Sequence, residues 1–219
     1  MKSRAFWAFI ICVAIGLVTG VAFAQTTDAK KPADKPAAGK PADSKGPEGM
    51  AMDPKTMALM TPGASHAYLK PFEGKWSYAM KGWMAPEQPW GEDKGTAEYK
   101  LMMGGRYLVQ DVKSSEGSKN GMPPFEGHGI TGYDNFNKRF FNVWVDNMGT
   151  GVMNSTGKTD DGGKTITMTG EYDDPMTGKK QKVRSVLKNL GPEKHVFEMY
   201  NIGEDGKEFK GLEVTYTKK

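Results

Sequence analysis

Residues 125–146 read FEGHGITGYDNFNKRFFNVWVD. Across Phe125–Tyr133 the side chains alternate, with Phe125, Gly127, Gly129, Thr131 and Tyr133 on one face and Glu126, His128 and Ile130 on the other, the period of a strand. Asp134-Asn135-Phe136-Asn137 then supplies turn chemistry. Alternation resumes in Arg139–Asp146, where Phe141, Val143 and Val145 oppose Asn142, Trp144 and Asp146. So short a connection pairs the two strands antiparallel, because a parallel crossover needs about a dozen residues or more.

The same pattern extends in both directions. Lys75–Trp83, Thr96–Met102, Tyr107–Ser114, Gly151–Thr159, Thr165–Tyr172, Val183–Asn189, His195–Ile202 and Phe209–Thr217 alternate in the same way, which brings the number of strands to ten. Gly104-Gly105, Asp160-Asp161-Gly162-Gly163, Asp173 to Gly178, Gly191-Pro192 and Glu204-Asp205-Gly206 punctuate them. No crossover helix fits between strands. The expected fold is therefore all-β, a single up-and-down antiparallel barrel of about ten strands, since closure removes the edges such a meander would otherwise expose. A two-sheet sandwich is the alternative.

Ahead of the strands, Asp53-Pro54 is an N-cap followed by proline at the first helical position, so a short helix is expected over Lys55–Met60, stopped by Thr61-Pro62-Gly63. Ser65 is positioned to cap a second turn through His66 to Leu69, ended before Pro71. Further upstream, Lys2 and Arg4 precede the apolar run Ala5 to Val21, and Ala22-Phe23-Ala24 has the small-x-small form of a cleavage site. Residues 1–24 read as a signal peptide and predict export to the periplasm or the extracellular space; the other reading is an uncleaved anchor. Residues 25–49 repeat Lys-Pro-Ala units without aromatic residues, a composition that cannot offset its ordering entropy, so a disordered linker is expected before a barrel domain at 50–219.

Composition narrows the function. The single cysteine, Cys12, lies in the leader, which excludes a disulfide framework and a cysteine-built zinc site in the mature protein. The formal charge of +4 falls to near neutral once residues 1–49 are set aside, too little for a nucleic-acid footprint. After cleavage, no membrane-spanning segment is expected. Neither a G-x-S-x-G elbow nor a phosphate-cradling loop nor a Cys–His pair is present, so no cofactor and no catalytic residue is assigned.

A barrel of this size has room for side chains and at most one small ligand, which makes lumenal binding of a small apolar molecule the leading expectation. The residues expected to form its site are Arg106, Glu126, His128, Tyr133, Trp144 and Asp146. Gly127, Gly129 and Gly132 thin one strand, to bend the sheet or to admit a close approach. Mid-strand Glu98, Glu171, Arg184, Glu198 and Glu213 are expected on the wet face, with lumenal placement the alternative. A second reading is a metal (copper) or haem-handling protein. Met50, Met52, Met57 and Met60 crowd the first helix near His66, and soft thioethers hold Cu(I); for the methionines the bland reading is gap-filling. Met57, Met60 and His66 are the candidate ligands. A third is an enzyme built on His128–Glu126 or Glu171–Arg184. Oligomeric state is not specified by these patterns.

Gly104-Gly105-Arg106-Tyr107, Phe125 to Asp134, Trp144 to Gly151, Thr167 to Tyr172, Asp174 to Lys179, His195 to Tyr200 and Lys207 to Lys210 resemble a bacterial family known only as domain of unknown function 1579, over residues 50–219. That resemblance implies a family and no activity. Gly74-Lys75-Trp76 on the first strand is similar to the opening of lipocalin-like barrels. The likeness implies a structural role for Gly74 and Trp76, with Trp76 closing one end. Relatives of that kind include small-ligand carriers and a haem-binding branch, but no stretch here matches haem-binding residues.

Overall fold

The computed structural model describes residues 52–116, 123–174 and 177–219. The chain divides into a unit of residues 1–49 and a unit of residues 50–219. The leader, the linker, Cys12 and Met50 lie outside the described residues.

Ten strands form one closed antiparallel barrel in which each strand pairs with its sequence neighbours and β1 pairs with β10. They are β1 (Gly74–Ala85), β2 (Gln88–Met102), β3 (Tyr107–Ser114), β4 (Glu126–Asp134), β5 (Arg139–Asp146), β6 (Met153–Lys158), β7 (Thr165–Asp174), β8 (Lys179–Asn189), β9 (Lys194–Ile202) and β10 (Glu208–Lys218). The expected barrel is thus the fold, and the sandwich is not. β2 begins eight residues before the expected Thr96, because the polar run Trp90 to Lys94 pairs with the far half of β1 in a long hairpin. Closure follows from the register Trp76↔Lys218 through Gly82↔Leu212, which leaves neither terminal strand as an edge.

Two helices precede β1, α1 (Pro54–Met60) and α2 (Ala64–Ala67), followed by a 3-10 turn at Lys70–Phe72. Asp53 caps α1 as expected, its carboxylate accepting from the Lys55 backbone N–H at 2.8 Å. The cap of α2 differs from the expected Ser65. Gly63 occupies that position, and His66 Nδ1 reaches back to accept the Gly63 N–H at 3.1 Å, so the imidazole plays the part of the Glu or Gln at the third position of a capping box. Asn135, in the β4–β5 turn, donates to the carbonyls of Ala58, Leu59 and Thr61, and Arg106, in the β2–β3 turn, donates to Met60 O at 2.8 Å. These bonds satisfy the free carbonyls at the end of α1 and hold it against the barrel.

The helices lie over the end of the barrel where β1 starts and β10 finishes. That end is filled. Leu69, Phe72, Trp76, Leu108, Phe140 and Ile166 are all buried there, each contributing about 1.5–3 kcal/mol of apolar transfer energy. Trp76 donates through Nε1 to Phe72 O at 2.8 Å, and Lys218 Nζ sits 4.4 Å above its ring. Trp76 therefore closes the barrel from inside. The opposite end, at the β1–β2, β5–β6, β7–β8 and β9–β10 connections, carries no helix among the described residues.

Candidate functional site

Burial of Trp76 and Tyr78 fixes which face of β1 points inward, and the pairing register carries that assignment around the barrel. Ala97 and Tyr99 of β2, Leu108, Gln110 and Val112 of β3, and Gly127, Gly129 and Thr131 of β4 fall on the inner face. On β5 the inner residues are Asn142, Trp144 and Asp146, so Phe141, Val143 and Val145 face outward. The wall is more polar than a hydrophobic-inside reading of that strand would give.

At mid-barrel the inner side chains form a hydrogen-bonded belt. Gln110 Nε2 donates to the Tyr216 hydroxyl at 3.2 Å, Asn142 Nδ2 donates to Thr131 Oγ1 at 3.0 Å, and His195 Nε2 lies 3.3 Å from the Tyr99 hydroxyl. His195 is 1% exposed. It stacks on Tyr216 at 4.3 Å and meets Trp76, Phe72 and Tyr99 edge-on. Burial, reinforced by Lys218, pushes its pKa down to about 3, which leaves a neutral ring. Burial likewise holds the Tyr99 and Tyr216 hydroxyls above their ordinary range, so both remain protonated donors.

Toward the open end the wall turns aromatic. Phe125 stacks on Trp144 with centroids 6.5 Å apart, and Trp144 Nε1 donates to Asp146 at 2.8 Å. The Tyr78 hydroxyl donates to Asp93 at 2.6 Å. Trp144 lies flat over Gly127 and Gly129, where an added Cβ would stand 2.3 and 2.9 Å from the ring. The group that approaches Gly127 and Gly129 is thus a side chain, the tryptophan of the neighbouring strand, and not the ligand or backbone that the sequence suggested. Gly132 plays the same part on the outer face, beneath Phe141 and Tyr107.

Inner-face residues from here to the belt, among them Gln110, Asn142, Trp144, Asp146, Met199 and Leu212, are only partly buried. The barrel's own side chains fill its capped half, and in the other half Val112, Val183 and Val214 are buried while the residues just named keep some exposure. Ser155 Oγ and Asn201 Oδ1, also on the inner face, are buried without a hydrogen-bond partner. A polar atom brought to either oxygen would recover about 1–3 kcal/mol of uncompensated desolvation.

The sequence-designated residues are scattered about this lumen. Trp144 and Asp146 line its open half, and Tyr133 lies on the inner face of β4 at the capped end, edge-on to His66 and Phe140. Glu126 and His128 are on the outer face, where His128 Nδ1 is 2.8 Å from Asp111 and Glu126 is paired with Lys113. Arg106 braces α1 from its turn. The structure thus gathers two of the six at the open lumen. Gln110, Tyr216, Asn142, Phe125 and Asn201 belong with them and were not singled out. Period two lists both faces of every strand, and only the register from Trp76 selects one.

The mid-strand charges lie on the outer face, as expected. Glu98 pairs with Lys100, Glu171 with Lys180, and Arg184 with Glu208 at 2.6 Å. Glu198 is 8% exposed yet faces outward, clasped by Lys188 and Lys210 at 2.7 Å each. Burial alone would raise its pKa, but hydrogen bonds from Lys188, Lys210 and Tyr200 outweigh that and hold it at about 2. Glu171 and Arg184 do not form a constellation, since each is paired elsewhere. Among the described residues no three His, Cys, Asp or Glu side chains cluster in a way that could hold a metal ion. His66 spends Nδ1 on the α2 cap, while Met57 and Met60 are exposed on α1.

These features define a class: a closed ten-stranded meander barrel, plugged by helices at one end and open over a polar, aromatic lumen at the other. Residues 61–218 match the family described as protein of unknown function, DUF1579, and the chain belongs to that family. The crystal structure of Rv2717c from M. tuberculosis is similar with a TM-score of 0.51 and 12% identity over 73% of this chain and 99% of that one, a likeness of fold. Two other barrels are more distant. A de novo designed fluorescence-activating β-barrel gives a TM-score of 0.38 at 13% identity, over 69% of this chain and 96% of its own. EF1p2_mFAP2b, solved bound to DFHBI, gives 0.39 at 14% identity, over 72% of this chain and all of its own. No curated protein matches the chain.

Proposed function

We propose that this protein binds a small, neutral, largely apolar molecule in the open half of its lumen. One observation carries the reading: inside a closed barrel the inner-face side chains Gln110, Asn142, Trp144, Asp146, Met199 and Leu212 are only partly buried, although Val112, Val183 and Val214 on the same face are buried. The lining suits such a ligand. Phe125 and Trp144 offer aromatic surface, and the partly buried amides of Gln110 and Asn142 offer neutral hydrogen bonds. Asp146 and Asp93 are each engaged by a ring donor from the wall, which favours a fixed shape over acid–base work. We further propose that residues 1–24 direct export and are removed, so that the mature chain begins at Gln25; intact-mass measurement of protein recovered from the cell envelope tests this.

For binding, the test is titration with the neutral fluorophore N-phenyl-1-naphthylamine together with native mass spectrometry after incubation in envelope lipid extract. Saturable fluorescence enhancement is expected, weakened about tenfold by Trp144→Ala and unchanged by Val145→Ala on the outer face of the same strand. A wild-type protein that shows no saturable enhancement and returns unliganded from the extract overturns the reading.

A further inference from the structure

The capped end of the barrel presents a second surface that the lumen does not explain. None of the α1 residues is buried. Its Met57, Leu59 and Met60 stand 43%, 47% and 56% exposed, although Asn135 and Arg106 hold the helix in place through its carbonyls. The two turns that supply those donors also carry exposed apolar side chains, Met103 at 67% and Phe136 at 77%. Met103 adopts a left-handed backbone, φ 51°, a conformation that usually selects glycine or asparagine. A large apolar side chain is thus held out in water at a position where a small polar one would be less strained.

Charge is distributed unevenly along the barrel axis. Lys55, Lys70, Arg106, Lys138, Arg139 and Lys164 lie at the same, capped end as the apolar cluster. Asp53, Glu73, Asp134, Asp160, Asp161 and Glu193 share that end, and the hydrogen bonds that Asp53 and Asp134 accept in capping α1 and the β4–β5 turn keep both ionised, so the basic bias is partial. At the open end Glu87, Glu92, Asp93, Asp146, Asp173, Glu204 and Asp205 outnumber Lys81, Lys94, Lys179, Lys180 and Lys207, several of which pair with them. Exposed apolar side chains carried on separate protruding elements, at an end of the barrel that also bears several lysines and arginines, fit the headgroup region of an anionic bilayer.

We propose that the capped end docks on an anionic lipid bilayer, inserting Met57, Leu59, Met60, Met103 and Phe136 among the headgroups and turning the open lumen away from the surface. Each basic residue near such a surface strengthens binding by about fivefold. Docking is independent of what the lumen holds.

The test uses the full chain with Cys12→Ser and one added cysteine carrying an environment-sensitive fluorophore, at Phe136→Cys on the capped end or Glu204→Cys on the open end. With vesicles of phosphatidylglycerol and phosphatidylethanolamine, the probe at 136 is expected to shift to the blue and the probe at 204 is not. Lys138→Glu with Arg139→Glu should weaken the shift by at least tenfold, and phosphatidylcholine vesicles should do the same. Comparing the two positions separates docking of the barrel from insertion of the apolar leader, which would leave both probes in water. No shift at 136, an equal shift at both sites, or a shift that is indifferent to lipid charge overturns the proposal. A concentration-dependent shift without vesicles also overturns it, by showing that a second copy covers this face.

Discussion

His195 links the core to pH. In the folded barrel its pKa lies at about 3, whereas an unfolded imidazole titrates near 6.5. Between those values the unfolded chain takes up a proton that the folded one refuses, so stability falls with pH by roughly 1.4 kcal/mol per unit below about pH 6.5. Urea denaturation at pH 7.5 and 4.5 should therefore show wild type losing about 2–3 kcal/mol more than His195→Phe, which keeps a ring in the Trp76 and Tyr216 cage but cannot titrate. His66, also lowered by burial, acts in the same direction in both proteins and cancels from the comparison. Gly127 gives a second residue-level prediction. A methyl there meets Trp144 Cζ2 at 2.3 Å, so Gly127→Ala should cost about 1–3 kcal/mol by overpacking. In a Trp144→Leu background most of that cost should vanish, and a double-mutant cycle on denaturation midpoints measures the coupling.

At the scale of elements, α1 is held by carbonyl contacts from two side chains, Asn135 and Arg106. Asn135→Ala with Arg106→Ala should release α1 while the barrel persists, seen as faster amide exchange at residues 57–61 with protection of β1 and β10 unchanged. Element identity was largely legible in the sequence because turn chemistry separates the strands at regular intervals and period two marks each one. Asp53-Pro54 likewise announced α1. Two things were not legible. Gly63 gave no sign of capping α2, since the acceptor is an imidazole three residues on. Strand facing was hidden too, because polar groups occur on both sides: Gln110, Asn142 and Ser155 line the lumen, while Tyr107, Phe141 and Val145 lie outside. That ambiguity is why the expected site mixed Trp144 and Asp146 with the outward-facing Glu126 and His128.

For the whole molecule, the pairing of β1 with β10 is decisive. Each of these strands has two partners, and β10 supplies one partner to β9 and one to β1. A chain truncated after Asp205 keeps nine strands but gains two unprotected edges, and it should migrate as oligomers or aggregate in size-exclusion chromatography where the full chain stays discrete. Stability loss alone would give an expanded monomer, so the readout distinguishes the two.

The same pairing sets a timetable. Contacts between the first and last strands span most of the folded sequence, and no earlier portion of the chain can satisfy β1 on its far side. A chain synthesised from its N-terminus has to wait for β10 before the circle closes.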